Sequence, residues 1–365
     1  MPEKPQPLKH RLKQRIEAGG PITVEAFMEA ALTDPDDGYY TQRLPIGAAG
    51  DFITAPEICQ IFGELIGLWI AEVWQTMGAP DKFRLIELGP GRGTLMNDAL
   101  RALAVAPDAL KAAELHLVEL SAPLRAVQRA TLAKAPIAPI WQNRFEDVPT
   151  GPAIIIANEF VDALPIRQFV RLESGWHERC VGLAKEDALI FTHCETPLDD
   201  PEKLIPTKLR SAAIGSIIEL RPAARHLIAE IAARARMAAT AVLIIDYGHV
   251  RSAPGDTLQG VRKHRYADPL EHPGETDLTA HVDFAALSDR ASTEGLAVYG
   301  PLPQGQFLLS LGLAERAERL AAGATPQQAA LLSSSARRLV DPAQMGELFK
   351  VLAIATGNNP PPPFT

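Results

Sequence analysis

The chain has 365 residues, of which 47% are hydrophobic, 22% charged and 6% aromatic. This is the composition of a folded globular protein, and it excludes disorder as the main state. Lys and Arg total 36 against 44 Asp and Glu, a net charge of −8, so we expect no nucleic-acid partner.

No stretch reaches the ~18 uninterrupted apolar residues of a membrane span. The first twenty residues lack the apolar core of a secretory signal. The three cysteines, Cys59, Cys180 and Cys194, are far apart in sequence and form no CxxC pair. We therefore expect a protein of a reducing compartment, either the cytoplasm or, for a eukaryotic source, the mitochondrial matrix. The sequence does not predict an oligomeric state.

Residues 1–78 are predicted to form a helical N-terminal extension with one glycine-containing loop. Residues 58–77 carry apolar side chains at the i, i+3, i+4, i+7 spacing of one helix face. The preceding residues, 47–57, contain glycines, Asp51 and Pro56, which favour a shaped loop that ends near a helix start.

From residue 84 onward, short apolar runs alternate with helix-length connections. This pattern predicts an α/β fold with a mostly parallel sheet covered by helices on both faces. The last two of its seven strands are expected to form an antiparallel edge. The predicted strands are 84–88, 114–120, 139–142, 153–159, 241–248, 295–300 and 347–355.

We assign residues 79–358 to this α/β core, with insertions at 166–220 and 302–343. The first insertion contains two alternating segments around Ser174 that predict a hairpin. Insertions after the carboxyl ends of strands often shape a substrate site, because open α/β sheets bind ligands at that edge. The proline-rich tail, 359–365, is expected to be extended and poorly ordered.

The first core strand runs into ELGPGRGT, residues 87–94, and then into a helix. Glycines let a ligand approach the backbone, and helix N-terminal amides favour an oxygen-rich group. The third glycine comes one position earlier than in the dinucleotide fingerprint, which favours S-adenosylmethionine over NAD. The alternative is an ordinary strand-to-helix turn. The candidate cofactor residues of this segment are Glu87, Gly89, Gly91, Gly93 and Thr94.

Three further candidates follow the second and third strands. Glu119 lies thirty positions after Gly89, where an acid can accept hydrogen bonds from both ribose hydroxyls. A surface acid that caps a helix is the alternative. Asn143 and Phe145 follow the third strand, where an adenine ring would lie, and an ordinary loop is the competing interpretation.

The fourth strand leads into a polar loop that holds Asn158, Glu159 and Asp162. Methyl transfer from a sulfonium requires an oriented nucleophile and a proton acceptor. Paired carboxylates would clamp a guanidinium bidentately, so Glu159 and Asp162 are the predicted catalytic pair. Their alternative role is to cap the next helix or hold the fold.

The fifth strand ends at Asp246 and Tyr247, and His281 lies further along the chain. No histidine or aspartate shows a recognised ligand spacing, so we expect no metal site. We keep His281 as a candidate proton acceptor, although a role at a helix start is the more ordinary interpretation.

Segments that span nearly the whole chain carry a family resemblance. Four of them stand out, and the three besides the glycine motif are together specific to the family. The chain resembles the MidA family of class I methyltransferases, whose mitochondrial members are protein arginine methyltransferases needed to assemble respiratory complex I. The segments are GDFITAPE (50–57), ELGPGRGT (87–94), NEFVDALP (158–165) and DLTAHVDF (277–284).

The resemblance implies a Rossmann-like domain that binds S-adenosylmethionine. It further implies symmetric dimethylation of an arginine in the 49 kDa subunit of complex I, and a loop in which Asp51, Thr54 and Glu57 close over the cofactor. Two other hypotheses remain at this point. One is an assembly protein that binds S-adenosylmethionine without catalysis, and the other is an NAD-dependent oxidoreductase.

Overall fold

The computed structural model describes residues 6–42, 54–357 and 359–364. The α-helices are α1 Leu8–Gly19, α2 Val24–Thr33, α3 Tyr39–Gln42, α4 Ala55–Ile58, α5 Gln60–Thr76, α6 Thr94–Leu103, α7 Pro107–Ala112, α8 Ala122–Thr131, α9 Pro201–Leu204, α10 Pro222–Ala235, α11 Phe284–Thr293, α12 Gln304–Ser310, α13 Leu313–Ala321, α14 Pro326–Val340 and α15 Met345–Leu348. The β-strands are β1 Ile22–Thr23, β2 Phe83–Leu88, β3 Ala113–Val118, β4 Ile140–Gln142, β5 Ala153–Asn158, β6 Arg167–Leu172, β7 Gly175–Leu183, β8 Leu189–His193, β9 Ile217–Leu220, β10 Thr240–His249, β11 Gln259–Arg262, β12 Arg265–Ala267, β13 Asp277–Thr279, β14 Val282–Asp283, β15 Ala297–Pro303 and β16 Phe349–Ala355.

The main sheet has the order β15-β16-β10-β5-β2-β3-β4, and β14 pairs with β10 beside it. The pairs from β4 to β10 are parallel, and β16 is antiparallel to both of its neighbours. All seven predicted strands are present, but β14 adds an eighth, parallel to β10, and the antiparallel β16 makes the sheet mixed. β16 lies inside the sheet, so β15 alone forms that edge.

Helices cover both faces of the sheet, as the continuous apolar strands predict. Successive residues of β2 point to opposite faces: Leu85 belongs to a core shared with α5 and α6, and Ile86 to a core shared with α10 and α11. Ile154 and Ile155 of β5 alternate in the same way. β2 and β5 are therefore buried on both sides.

A third core joins the N-terminal helices to the first insertion. Val24 and Phe27 of α2 pack with Val181 of β7 and Leu278 of β13. Strand β1 extends this contact, because Ile22 pairs with Val181 in a sheet ordered β1-β7-β6-β9, with β8 beside β7. The predicted hairpin is present as β6 and β7, and the insertion adds two more strands to it.

The sequence analysis missed a three-stranded sheet of order β12-β11-β13, between β10 and α11 in the chain. Its strands have only three or four residues, which is too short for a clear alternating pattern. This small sheet covers the carboxyl edge of the main sheet and reaches the cavity described below.

The prediction of a poorly ordered tail is wrong. The Trp69 indole Nε1 donates a hydrogen bond to the Pro362 carbonyl at 2.7 Å, and the Phe364 ring lies 5.9 Å from that of Phe307. The hydrogen bond holds the tail against helix α5, and the ring contact holds it against helix α12. In the described ranges, no helix combines the length and the apolar character that a bilayer-spanning segment requires.

Candidate active site

A cavity of about 600 Å³ opens at the carboxyl edge of the main sheet, a volume typical of small-molecule sites. It brings together candidates that are far apart in sequence. Gly93 does not line it, and Asp51 lies outside the described residues. The predicted site residues in its wall are Thr54, Glu57, Glu87, Gly89, Gly91, Thr94, Glu119, Asn143, Phe145, Asn158, Glu159, Asp162 and His281.

The three glycines after β2 all adopt left-handed backbone, with φ of 63° at Gly89, 53° at Gly91 and 81° at Gly93. Residues with a side chain rarely occupy this region. At Gly89 a Cβ atom would also come within 2.7 Å of the Phe160 ring. Gly93 is the residue that precedes α6, so the glycines turn the chain sharply from strand to helix.

Glu87 is almost fully buried in the cavity wall, and its Oε2 has no hydrogen-bond partner among the described residues. Burial, together with the nearby charge of Glu119, raises the pKa of the Glu87 carboxyl to about 8. A buried acceptor without a partner costs free energy unless something bound there donates to it. Glu87 therefore indicates a ligand with a hydroxyl or amine at this point.

Glu119, just after β3, is held by two donors from α8 and the turn before it. Its Oε1 accepts from the Ser121 amide at 2.8 Å, and its Oε2 accepts from Gln128 Nε2 at 3.1 Å. The same Gln128 nitrogen donates to the Gly91 carbonyl at 2.8 Å, and its oxygen accepts from Trp141 Nε1. The fully buried Gln128 thus links the glycine loop to Glu119.

Sequence reasoning missed Gln128. The available signal was its spacing from Leu124, four residues earlier on α8, which points both side chains toward the interior.

The two candidates after β4 lie at the rim of the cavity. The Asn143 side-chain oxygen accepts from Arg125 Nη2 at 2.7 Å, and Arg125 Nε also donates to the Glu119 carbonyl at 2.8 Å. The Phe145 ring lies 5.2 Å below the guanidinium of Arg234. This loop is therefore fastened to the same segment that holds Glu119.

The end of the N-terminal loop contacts two parts of the site. Thr94 Oγ1 donates a hydrogen bond to Glu57 Oε1, which ties helix α4 to the start of α6. On the other side, the Ala55 amide donates to Glu159 Oε1 at 2.9 Å. Thr54, the residue before α4, also lines the cavity. Residues 54–57, the described end of the segment predicted to cover a cofactor, thus bridge the glycine loop and the acidic loop.

The acidic loop after β5 presents carboxylate and amide oxygens to the cavity. Glu159 has φ of 48°. Besides the Ala55 amide, its Oε1 accepts a hydrogen bond from the side-chain Nδ2 of Asn158 at 3.4 Å. Burial and the neighbouring Asp162 raise the pKa of Glu159 to about 7. The buried Asn158 Oδ1 and Asp162 Oδ1 have no hydrogen-bond partners among the described residues. These oxygens are free to accept from a ligand.

Asp246, at the end of β10, holds the acidic loop in place. Its Oδ2 accepts from the amides of Val161 at 2.9 Å and Asp162 at 3.1 Å, and its Oδ1 accepts from the Tyr247 amide at 2.9 Å. The side chain is completely buried. The sequence places Asp246 at this edge, but it does not predict this supporting role.

Arg221 is a second supporting residue that the sequence analysis missed. Its guanidinium donates to the carbonyls of Leu164 at 3.0 Å and Ala280 at 2.8 Å, and also contacts those of Asp162 and His281. Burial lowers the pKa of Arg221. Because the hydrogen bonds of this cation go to backbone carbonyls, the Asp162 carboxylate keeps an oxygen available for a ligand.

His281 and Tyr247 form the aromatic side of the cavity. Their rings meet edge to face at 5.5 Å, and Tyr247 has the same separation from Phe349. Burial and the nearby His249 lower the pKa of His281, which keeps its ring neutral and able to accept a proton. Among the described residues, no group of three or more His, Cys, Asp or Glu side chains is arranged to hold a metal ion.

S-adenosylmethionine fits this donor and acceptor set. Its ribose hydroxyls and amino group are donors, and the cavity offers buried acceptors on Glu87 and Glu119. Three left-handed glycines keep side chains away from the turn beside these acceptors. The volume and the chemistry of the wall therefore suit a nucleoside with a cationic centre.

Comparison with known proteins shows which family this chain belongs to. A family model described as S-adenosyl-L-methionine-dependent methyltransferase matches residues 65–302. The mitochondrial protein arginine methyltransferase NDUFAF7 homologue of Drosophila melanogaster is 36% identical, and the alignment covers 96% of this chain and 85% of that protein. Human NDUFAF7, named a mitochondrial protein arginine methyltransferase, is 34% identical over 95% of this chain and 83% of its own.

A solved structure extends the likeness to the whole fold. A protein from Burkholderia thailandensis, crystallised bound to S-adenosylhomocysteine, superposes with a TM-score of 0.83 at 29% identity, covering 97% of this chain and 92% of that one. S-adenosylhomocysteine is what S-adenosylmethionine becomes when its methyl group leaves. The resemblance seen in the sequence is thus confirmed, and the chain belongs to the MidA-like family of S-adenosylmethionine-dependent methyltransferases.

Proposed function

We propose that this methyltransferase transfers a methyl group to a guanidinium nitrogen of a protein arginine. The observation that carries the proposal is the acidic loop, where Asn158, Glu159 and Asp162 present oxygens to the cavity beside the glycine turn. A planar, permanently charged guanidinium matches paired carboxylates better than other acceptors do. The names of the curated relatives support the same acceptor.

The charge of the cavity wall also favours two cationic reactants. The acidic residues in the lining outnumber the arginines, which are Arg92 and Arg144. Opposite charges attract strongly in a partly buried site, so an excess of carboxyl groups favours a sulfonium and a guanidinium together. The bound cations would in turn lower the raised pKa values of Glu87 and Glu159 and favour their charged forms. The acids are Glu57, Glu87, Glu119, Glu159, Asp162 and Asp277.

The residues divide into two groups by role. Bound S-adenosylmethionine supplies an electrophilic methyl group. Glu87, the glycine turn and Glu119 would hold the nucleoside, with Asn143 and Phe145 at the adenine end. Thr94 would anchor the covering segment through Glu57, and that segment includes Thr54 and, outside the described residues, Asp51.

Glu159 and Asp162 would orient the guanidinium and aim one nitrogen at the methyl group. The nitrogen that gains a methyl group must lose a proton. Glu159, with a pKa near 7, and the neutral His281 both line the cavity and are the candidate acceptors. Asn158 would fix the position of the Glu159 carboxylate through its side-chain amide.

The test is Glu159→Gln. Glutamine keeps the oxygen that accepts from the Ala55 amide but removes the charge that would bind a guanidinium. We expect a loss of methyl transfer of at least about a hundredfold, as for removal of a charged group that acts in the transition state. Affinity for S-adenosylhomocysteine, measured by calorimetry, should change little.

Glu318→Gln on the exposed surface of α13 is the matched control and should leave both measurements unchanged. Unchanged methyl transfer in Glu159→Gln would remove the assignment of Glu159. If the unmodified chain binds S-adenosylhomocysteine but methylates no arginine, the alternative of a cofactor-binding assembly protein without catalysis would replace the proposal.

The family resemblance supports the 49 kDa subunit of respiratory complex I, or its bacterial homologue, as the acceptor, with symmetric dimethylarginine as the product. The relatives are named as mitochondrial proteins, which supports a mitochondrial location for a eukaryotic source. The matrix there, and the cytoplasm for a bacterial source, are the locations that we propose. That subunit is accordingly the substrate to use in the assay above, with the modified arginine located by mass spectrometry.

A further inference from the structure

The hairpin formed by β11 and β12 stands at the mouth of the cavity. Val261 and Tyr266 are paired across its two strands, so they share a face. Both line the cavity, and so does Gln259, two residues before Val261 on the same face. Lys263 and His264, with φ of 50° and 60°, form the two-residue turn at the tip.

Tyr266 is 82% exposed although it borders the cavity. A tyrosine in this position gains little from packing within its own chain. Exposed aromatic side chains at the rim of a site are well suited to contact a bound protein, because they bury a large area at a low entropy cost. The Tyr266 side chain is therefore available to a molecule bound at the mouth of the cavity.

The tip of the hairpin carries four consecutive basic residues, 262–265, in a chain whose net charge is −8. Arg262 forms an ion pair with Glu275 at 2.6 Å. The side chains of the next three residues are exposed, and Arg265 lies beside Tyr266. The wall of the cavity below is acidic. The two charge patterns together match a partner that is cationic at one residue and anionic beside it.

We propose that this hairpin is the docking surface for the segment of the substrate that flanks the methylated arginine, and that it selects acidic flanking residues. The arginine enters the acidic cavity, its neighbours lie against Tyr266, and their carboxylates face Arg265. This inference rests on the proposed arginine acceptor. It adds a specificity surface that neither the glycine turn nor the acidic loop supplies.

The experiment measures binding of synthetic peptides to the full chain saturated with S-adenosylhomocysteine, by fluorescence anisotropy. The probes share one central arginine, which is flanked by aspartates, by serines or by lysines. We expect the aspartate peptide to bind at least about fivefold more tightly than the serine peptide, since a charge pair in water contributes about 1 kcal/mol. The difference should shrink as salt is added.

Two variants locate the contact. Arg265→Glu should abolish the preference for the aspartate peptide and improve binding of the lysine peptide. Tyr266→Ala should weaken all three peptides by a similar factor. The matched controls are Arg319→Glu on α13 and Met237→Ala after α10, both exposed and outside the cavity lining. All four variants should bind S-adenosylhomocysteine as the unmodified chain does.

Equal binding of the three peptides by the unmodified chain, or an unchanged preference in Arg265→Glu, would overturn the docking surface. So would a single-stranded oligonucleotide that binds this hairpin more tightly than the aspartate peptide does.

Methyl transfer to the central arginine is measured separately, so that the docking surface and the proposed function can fail independently. A preference for the aspartate peptide without methyl transfer would contradict the proposed function alone, whereas methylation of all peptides without preference would contradict the docking surface alone.

Discussion

Buried polar atoms without partners occur in two kinds of place in this molecule. Those of Glu87, Asn158 and Asp162 face the cavity, where a ligand that donates hydrogen bonds would satisfy them. His116 is different, because it lies on β3 inside the main sheet and does not line the cavity. Neither of its ring nitrogens has a hydrogen-bond partner among the described residues. The unpartnered atoms in the cavity therefore indicate a bound ligand, whereas those of His116 lower the stability of the folded protein.

His116→Leu should therefore stabilise the protein. Leucine has a similar size and removes a buried donor and acceptor, which should raise the free energy of unfolding by about 1–3 kcal/mol. Burial lowers the pKa of His116 in the folded state, so below the ordinary value near 6.5 the unfolded chain binds a proton that the folded chain does not. The gain should accordingly be larger at about pH 5 than at about pH 8.

Urea unfolding of the two proteins at both pH values provides the measurement. His226→Leu, at an exposed position on α10, should change the free energy of unfolding by less than about 0.5 kcal/mol. A lower stability of His116→Leu at both pH values would mean that the imidazole is satisfied in solution, contrary to the structure.

The helices, strands and motifs that the sequence predicts correctly are those that are long or continuous in the chain. Six of the seven predicted strands have six to ten residues and are apolar over most of their length, and the glycine turn and the acidic loop are each contiguous motifs. Strands β11 to β14 have two to four residues and give no periodic signal. Gln128, Arg221 and Asp246 support the site through contacts across the fold, so no local pattern predicts which polar partners they have.

The acidic loop illustrates this limit. Its shape depends on Asp246, which is 85 positions after Val161 in the chain. In Asp246→Asn one of the accepting oxygens becomes an NH₂ group that faces backbone N–H donors. We expect the free energy of unfolding to fall by about 1–3 kcal/mol and methyl transfer to fall with it, because Glu159 and Asp162 lose their fixed positions.

Asp289→Asn, on the exposed face of α11, removes a carboxylate without touching the loop and is the control. Thermal unfolding and methyl transfer are measured on both variants. If Asp246→Asn loses stability but keeps full methyl transfer, then Asp246 supports the fold only and does not position the loop for catalysis.

The first and the last described segments, 6–42 and 359–364, both pack against the rest of the protein. The N-terminal helices share a core with the first insertion through Phe27 and Val181. The tail packs on α5, where the indole of the fully buried Trp69 donates to Pro362. A proline-rich composition alone predicts an extended segment but does not reveal this anchor, since the partner lies 293 positions away.

Removal of residues after Gly357 should therefore destabilise the whole protein. The deletion exposes Trp69 and leaves its Nε1 without an acceptor, and it removes the contact of Phe364 with Phe307. We expect a loss of about 2–4 kcal/mol in the free energy of unfolding, from one hydrogen bond and the burial of aromatic surface. Trp69→Phe in the full-length chain removes the hydrogen bond but keeps a ring, and should cost less than the deletion. Urea unfolding that is identical with and without the tail would show that the segment is detached in solution, as its composition alone suggests.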